Sequence, residues 1–155
     1  MKAEYINPFV EAVYELFSTM LGAEVTRKGL ALSRQEQQPR EVVALIGFSG
    51  AVKGTVALAL PRETAKAMTS KILGEDDDSA EEQAVSDSIA ELVNIVAGSA
   101  KAKLSTAVGQ TLDLSLPVVL RGQDYQVYSP SKCTWLEISF DGDLGAFNLR
   151  ISMDN

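Results

Sequence analysis

FSGAVKGTVAL, Phe48 to Leu58, and FDGDLGAFNL, Phe140 to Leu149, are two versions of one hairpin. With one residue gapped they share Phe, Gly, Gly and Leu in the same order. Turns recruit glycine wherever positive φ is needed, so short matches of this kind also arise by chance. Here the surroundings agree as well. A helix and three strand-like runs lead from Pro8 to Leu60, and the same succession leads from Ser79 to Met153. The chain therefore predicts a duplicated helix-plus-three-strand unit, with halves at about 7–60 and 79–153 inside one domain spanning 1–155. The fold class that follows is α+β, a two-layer domain whose largely antiparallel sheet is covered by helices.

Working outward from the first hairpin, Asn7-Pro8 has the order of a helix start, and Gly22 has the character of its end. Phe9, Val13, Leu16, Phe17 and Met20 form one apolar stripe between them. Strand-like runs follow at Val25–Leu32, Val42–Phe48 and Thr55–Leu60. Arg62–Leu73 reads as a helix closed by Gly74. Glu75-Asp76-Asp77-Asp78 then reads as a solvated acidic loop, because it lacks the spaced ligands and turn glycine of a calcium loop. Ser79-Ala80-Glu81-Glu82 fits a capping box and opens a long helix to about Ala107. Strands are expected at Leu112–Leu120, Trp135–Phe140 and Gly145–Met153, with a polar connection over Gly122–Lys132.

Composition narrows the function. The 155 residues carry 14 basic and 21 acidic side chains, a net charge of −7, and no histidine. An acidic chain repels phosphate backbones, so no nucleic acid partner is expected. The missing histidine removes Ser-His and Cys-His nucleophiles, imidazole acid–base work and histidine-ligated metals. The lone Cys133 cannot form an internal disulfide, no signal peptide pattern opens the chain, and no apolar run reaches the ~20 residues of a membrane span. A cytoplasmic location is the expectation. The Gly50–Gly54 turn lacks the Gly-Lys-Ser/Thr ending of a P-loop, and no Gly-x-Ser-x-Gly elbow occurs.

On the long helix Val85, Ile89, Leu92, Val93, Val96, Ala100 and Leu104 gather into one buried stripe at about 100° per residue. Asp87, Glu91 and Asn94 fall together on the opposite side, and Gly98 continues their row. Polar residues on an exposed helix face need no special explanation. However, Asn and Gly cost a few tenths to ~1 kcal/mol against alanine in mid-helix, and a bare Gly98 lets a partner's backbone approach closely.

Asp87-x3-Glu91-x2-Asn94 followed by 22 residues and Pro117 resembles the signature of the CheC/CheX/FliY family of chemotaxis phosphatases. A single complete motif makes the chain most similar to the CheX branch. The equivalent face of the first helix offers Asn7-x3-Glu11-x2-Tyr14, which looks like a decayed copy. A phenol cannot present the paired donor and acceptor of a carboxamide. The resemblance implies a phosphatase acting on the aspartyl phosphate of a CheY-like response regulator. In that reading Asn94 positions the attacking water, Glu91 anchors the regulator's active-site lysine, Asp87 and Gly98 contribute to binding, and Pro117 is structural. It further implies that Mg2+ sits on the partner regulator, with no cofactor or metal held by this chain, and that the chain forms a homodimer by joining sheets. The alternative is a noncatalytic response-regulator-binding or flagellar-switch adaptor module using the same face. A self-associating structural domain is a third possibility.

Overall fold

The computed structural model describes residues 3–154 apart from 34–35, 38–39, 51, 75–80, 110, 124–126 and 129–133. The acidic run at 75–78, the cap residue Ser79 and Cys133 lie outside the described residues. In chain order the elements are helix α1 (Ala3–Leu16), a π-helical turn (Phe17–Leu21), strands β1 (Val25–Ser33), β2 (Glu36–Gln37), β3 (Val42–Gly50) and β4 (Lys53–Leu60), helices α2 (Arg62–Leu73) and α3 (Glu82–Val108), and strands β5 (Leu112–Leu114), β6 (Val118–Arg121), β7 (Val127–Tyr128), β8 (Trp135–Gly142) and β9 (Phe147–Asp154).

The main sheet is antiparallel throughout, in the order β1-β8-β9-β4-β3-β5, with β6 continuing the β5 edge against β3. β2 and β7 pair separately. Alternation along each strand sends one set of side chains to the helices. Val42, Ala44, Ile46, Phe48, Val56, Leu58, Leu60, Ile138, Leu149 and Ile151 meet the apolar faces of α1, α2 and α3 in one core. Val43, Ala57 and Ala59 pack on the other face with Leu45 and Leu120. The α+β two-layer architecture is the one that the sequence predicts.

The strand order also reads the same from either edge when the two predicted halves are exchanged. Each half contributes a hairpin, β3–β4 or β8–β9, and the first strand of each half lies beside the hairpin of the other. Gly50 and Gly142 close the long strands of the two hairpins. A Cβ at Gly50 would lie 2.6 Å from the carbonyl oxygen of Thr111, just ahead of β5, and one at Gly142 would overlap that of Glu24, just ahead of β1. The same contact is thus built twice, which supports the duplicated unit as a proposal.

Three local expectations are corrected. Asn7-Pro8 does not start the first helix, because α1 begins at Ala3 and Pro8 lies inside it, buried. Ile6 is buried too and extends the apolar stripe by a turn, and this packing outweighs the one backbone hydrogen bond that Pro8 cannot donate. Met20 is 43% exposed instead of belonging to the stripe. The π-helical turn rotates the end of the helix so that Leu21 is buried in its place. The single strand expected over Leu112–Leu120 is two, β5 and β6, split at Ser115-Leu116-Pro117. Phe48 faces Leu114 and Leu45 faces Val118, so three residues oppose two and the edge bulges. Ser115 fills the gap: its N–H donates to the Gly47 carbonyl, and its hydroxyl oxygen accepts from the Gly47 N–H, each at 2.9 Å.

Candidate functional site: the solvent face of α3

α3 is positioned by its apolar side. Val85, Ile89, Leu92, Val93, Val96, Ala100 and Leu104 are all buried, so the opposite face must point to solvent. The capping box predicted for Ser79 and Glu82 rests on Ser79, which lies outside the described residues, and the helix is described from Glu82. The residue ahead of the helix is Glu81, in extended conformation and without a side-chain cap. The Glu82 carboxylate binds the guanidinium groups of Arg62 and Arg121, the latter at 2.6 Å. Arg121 Nη1 also donates to the Glu82 carbonyl at 2.8 Å. Charged hydrogen bonds of this kind are about twice as strong as neutral ones.

Asp87, Glu91 and Asn94 are exposed in one row, and Gly98, half-buried, continues it. A Cβ at Gly98 would meet nothing within 4 Å, so the surface there is open. Gln83, which the sequence reading missed, extends the row by one turn, and its Nε2 donates to Asp87 Oδ1 at 3.0 Å. The i, i+4 spacing of Gln83 and Asp87 was the available signal. Pro117 is not on α3 but in the bulge between β5 and β6. Among the described residues no three His, Cys, Asp or Glu are grouped so as to hold a metal ion, and no helix is long and apolar enough to cross a membrane.

The corresponding face of α1 is differently engaged. Tyr14 sets its ring edge-on to Phe140 at 5.9 Å, and its hydroxyl accepts from the Arg27 N–H at 3.1 Å. Lys103 of α3 reaches Glu11 at 3.8 Å and Glu15 at 2.5 Å, and Ser99 donates to Glu15 at 3.1 Å. The groups on this face thus tie α1 to α3. The Lys103 and Ser99 hydrogen bonds hold the Glu15 carboxyl below its ordinary 4.5, and the Glu15 bond raises Lys103 above its ordinary 10.5. A depressed carboxylate contributes stability above its ordinary value and loses it on acidification, while a raised lysine contributes below 10.5 and loses it on the alkaline side. The melting-temperature difference between the parent and Lys103→Met should therefore be present at neutral pH, shrink as pH falls below the carboxylate range, and shrink in high salt.

A family model described as chemotaxis phosphatase CheX matches residues 42–141, a span that holds Asp87, Glu91, Asn94, Gly98 and Pro117. The chain belongs to the CheX family. A curated relative, the CheY-P phosphatase CheX of Thermotoga maritima, is 30% identical over 154 residues, covering 99% of this chain and 97% of that one. The crystal structure of a CheC-like superfamily protein from Shewanella sp. PV-4 shares 27% identity over the whole of both chains, with a TM-score of 0.87. CheX of Borrelia burgdorferi, solved in a CheX-CheY-BeF3-Mg2+ complex, has 23% identity and a TM-score of 0.80 over 99% of this chain and 100% of that one, and so shares the CheX fold.

Proposed function

We propose that the chain hydrolyses the aspartyl phosphate of a CheY-like response regulator, with the α3 face inserted at the regulator's phosphorylation site. The observation that carries this reading is a carboxamide, Asn94, exposed in mid-helix one turn from the exposed carboxylate of Glu91. Membership of the CheX family and the name of the Thermotoga relative support it.

Phosphoryl transfer asks for positioning more than for strong bases. Asn94 Oδ1 accepts a hydrogen bond from a water and aims its oxygen along the axis of the acyl phosphate bond. The new bond forms from water oxygen to phosphorus, and the bond to the regulator's carboxylate oxygen breaks. The products are the regulator's free aspartate carboxylate and inorganic phosphate, whose oxygens take up the water's protons and release one to solvent as the phosphate ionises. Glu91 pairs with the regulator's active-site lysine and fixes the depth of entry, and Asp87, oriented by Gln83, adds a second acceptor on the same row. Gly98 admits the regulator's backbone, and Pro117 shapes the sheet edge. Magnesium belongs to the regulator, where it neutralises charge on the phosphoryl oxygens. A cytoplasmic location and a homodimer are part of the same proposal, and light scattering at twice the chain mass of 16.6 kDa is the expected result for the dimer.

The test is phosphate release from a phosphorylated receiver domain with and without this chain. Unchanged decay overturns the phosphatase reading, and receiver binding without accelerated decay selects the adaptor. Glu91→Ala should raise KM about 10- to 100-fold, because it leaves a lysine unpaired in the interface.

A further inference from the structure

Leu116 is 86% exposed, more than any other large apolar side chain among the described residues, with Leu32 next at 69%. Single exposed leucines are ordinary on protein surfaces, but this one has a defined place. It is the middle residue of the β5–β6 bulge, between Ser115, which is bonded twice to Gly47, and Pro117, which fixes its own φ. The backbone that presents it is therefore ordered before any partner arrives.

The two strands that flank the bulge, β5 and β6, both pack against α3. Arg121 at the end of β6 holds Glu82 at the start of α3, and α3 ends at Val108, shortly before β5 begins at Leu112. Helix and edge therefore run side by side in opposite directions, over about 40 Å at ~1.5 Å per helical residue and about 30 Å at ~3.3 Å per strand residue. With the ends matched, residue 116 comes abreast of the helix between Asn94 and Gly98.

We propose that Leu116 is an apolar anchor for the same receiver domain that docks on the α3 face, entering a hollow on the receiver next to its phosphorylation site. This extends the reading under Proposed function and rests on it. The occupant follows from the edge itself. Another copy of the chain adding a strand here would need an unbroken row of outward N–H and C=O groups. The bulge interrupts that row, and Pro117 has no N–H to offer. A partner seated on Glu91 and Asn94 meets Leu116 without needing the ladder. An apolar side chain gives most to an interface where it is fully desolvated in a pocket of the partner, and for Leu116 that pocket is the hollow on the receiver.

The experiment uses the full chain and a CheY-type receiver from the same source, loaded with beryllofluoride and magnesium for binding, and phosphorylated for turnover. Leu116→Asp should weaken binding at least tenfold and raise KM by the same factor, with kcat unchanged. Leu73→Asp, a substitution of another exposed leucine at the end of α2, should change neither. Unaltered binding by Leu116→Asp overturns the anchor, as does a change in oligomeric mass, which would make Leu116 a contact between copies. If the unsubstituted chain fails to bind the receiver, the functional reading itself is overturned.

Discussion

Asn94→Ala should lower the rate of receiver dephosphorylation by about 10²- to 10³-fold, the range seen when one preorganised polar group is taken from a reaction centre. The loss should fall on kcat. Glu91, Asp87 and the open surface at Gly98 are untouched by the substitution, so KM and the affinity for a beryllofluoride-loaded receiver should hold within about threefold. Stability should not fall, since Asn94 is exposed and alanine is the better helix former. Asn94→Asp is the sharper variant. It keeps the size but replaces a donor and acceptor with a pure acceptor bearing charge beside phosphoryl oxygens, so it should be at least as inactive. An Asn94→Ala chain that works as fast as the parent would leave the carboxamide without a role.

The second large effect lies two residues away on the buried side. Leu92 is 0% exposed in the core beneath α3. Leu92→Ala removes its transfer free energy and leaves a cavity, a loss of about 3 kcal/mol within the ~2–5 kcal/mol range for such truncations. At this chain length the melting temperature should fall by roughly 6–12 °C. Well below the new melting point, kcat should stay close to that of the parent. The two substitutions thus form a pair: one loses turnover and keeps stability, the other does the reverse. A loss of both by either variant would mean that the solvent face and the core face of α3 are not separable.

How much of this was legible in the sequence depends on the range of the interaction. The two hairpins gave the architecture, because turn glycines and alternating strands are local signals. The α3 row was legible for the same reason, since 3.6-residue periodicity alone separates Leu92 from Asn94. The start of α1 was misread because Asn7-Pro8 carries a strong local start signal, although Ile6 already continued the apolar stripe. Met20 was misplaced because a π turn has no reliable sequence mark. Contacts between distant segments were not legible at all. Nothing near Glu82 announces Arg62 and Arg121, and nothing near Glu15 announces Lys103.

The exchanged edge strands have a consequence for how the chain is made. β1 has its ladder partner in β8, more than a hundred residues further along. At about 5–20 residues per second on the ribosome, the partner of β1 emerges roughly 5–20 seconds after it. During that interval Leu30 and Leu32 sit on a strand whose pairing groups are all open, so the nascent N-terminal half should be the aggregation-prone and chaperone-dependent stage. Ribosome-stalled chains ending before Trp135 should remain protease-sensitive throughout, and resistance should appear in one step once β8 and β9 have cleared the exit tunnel.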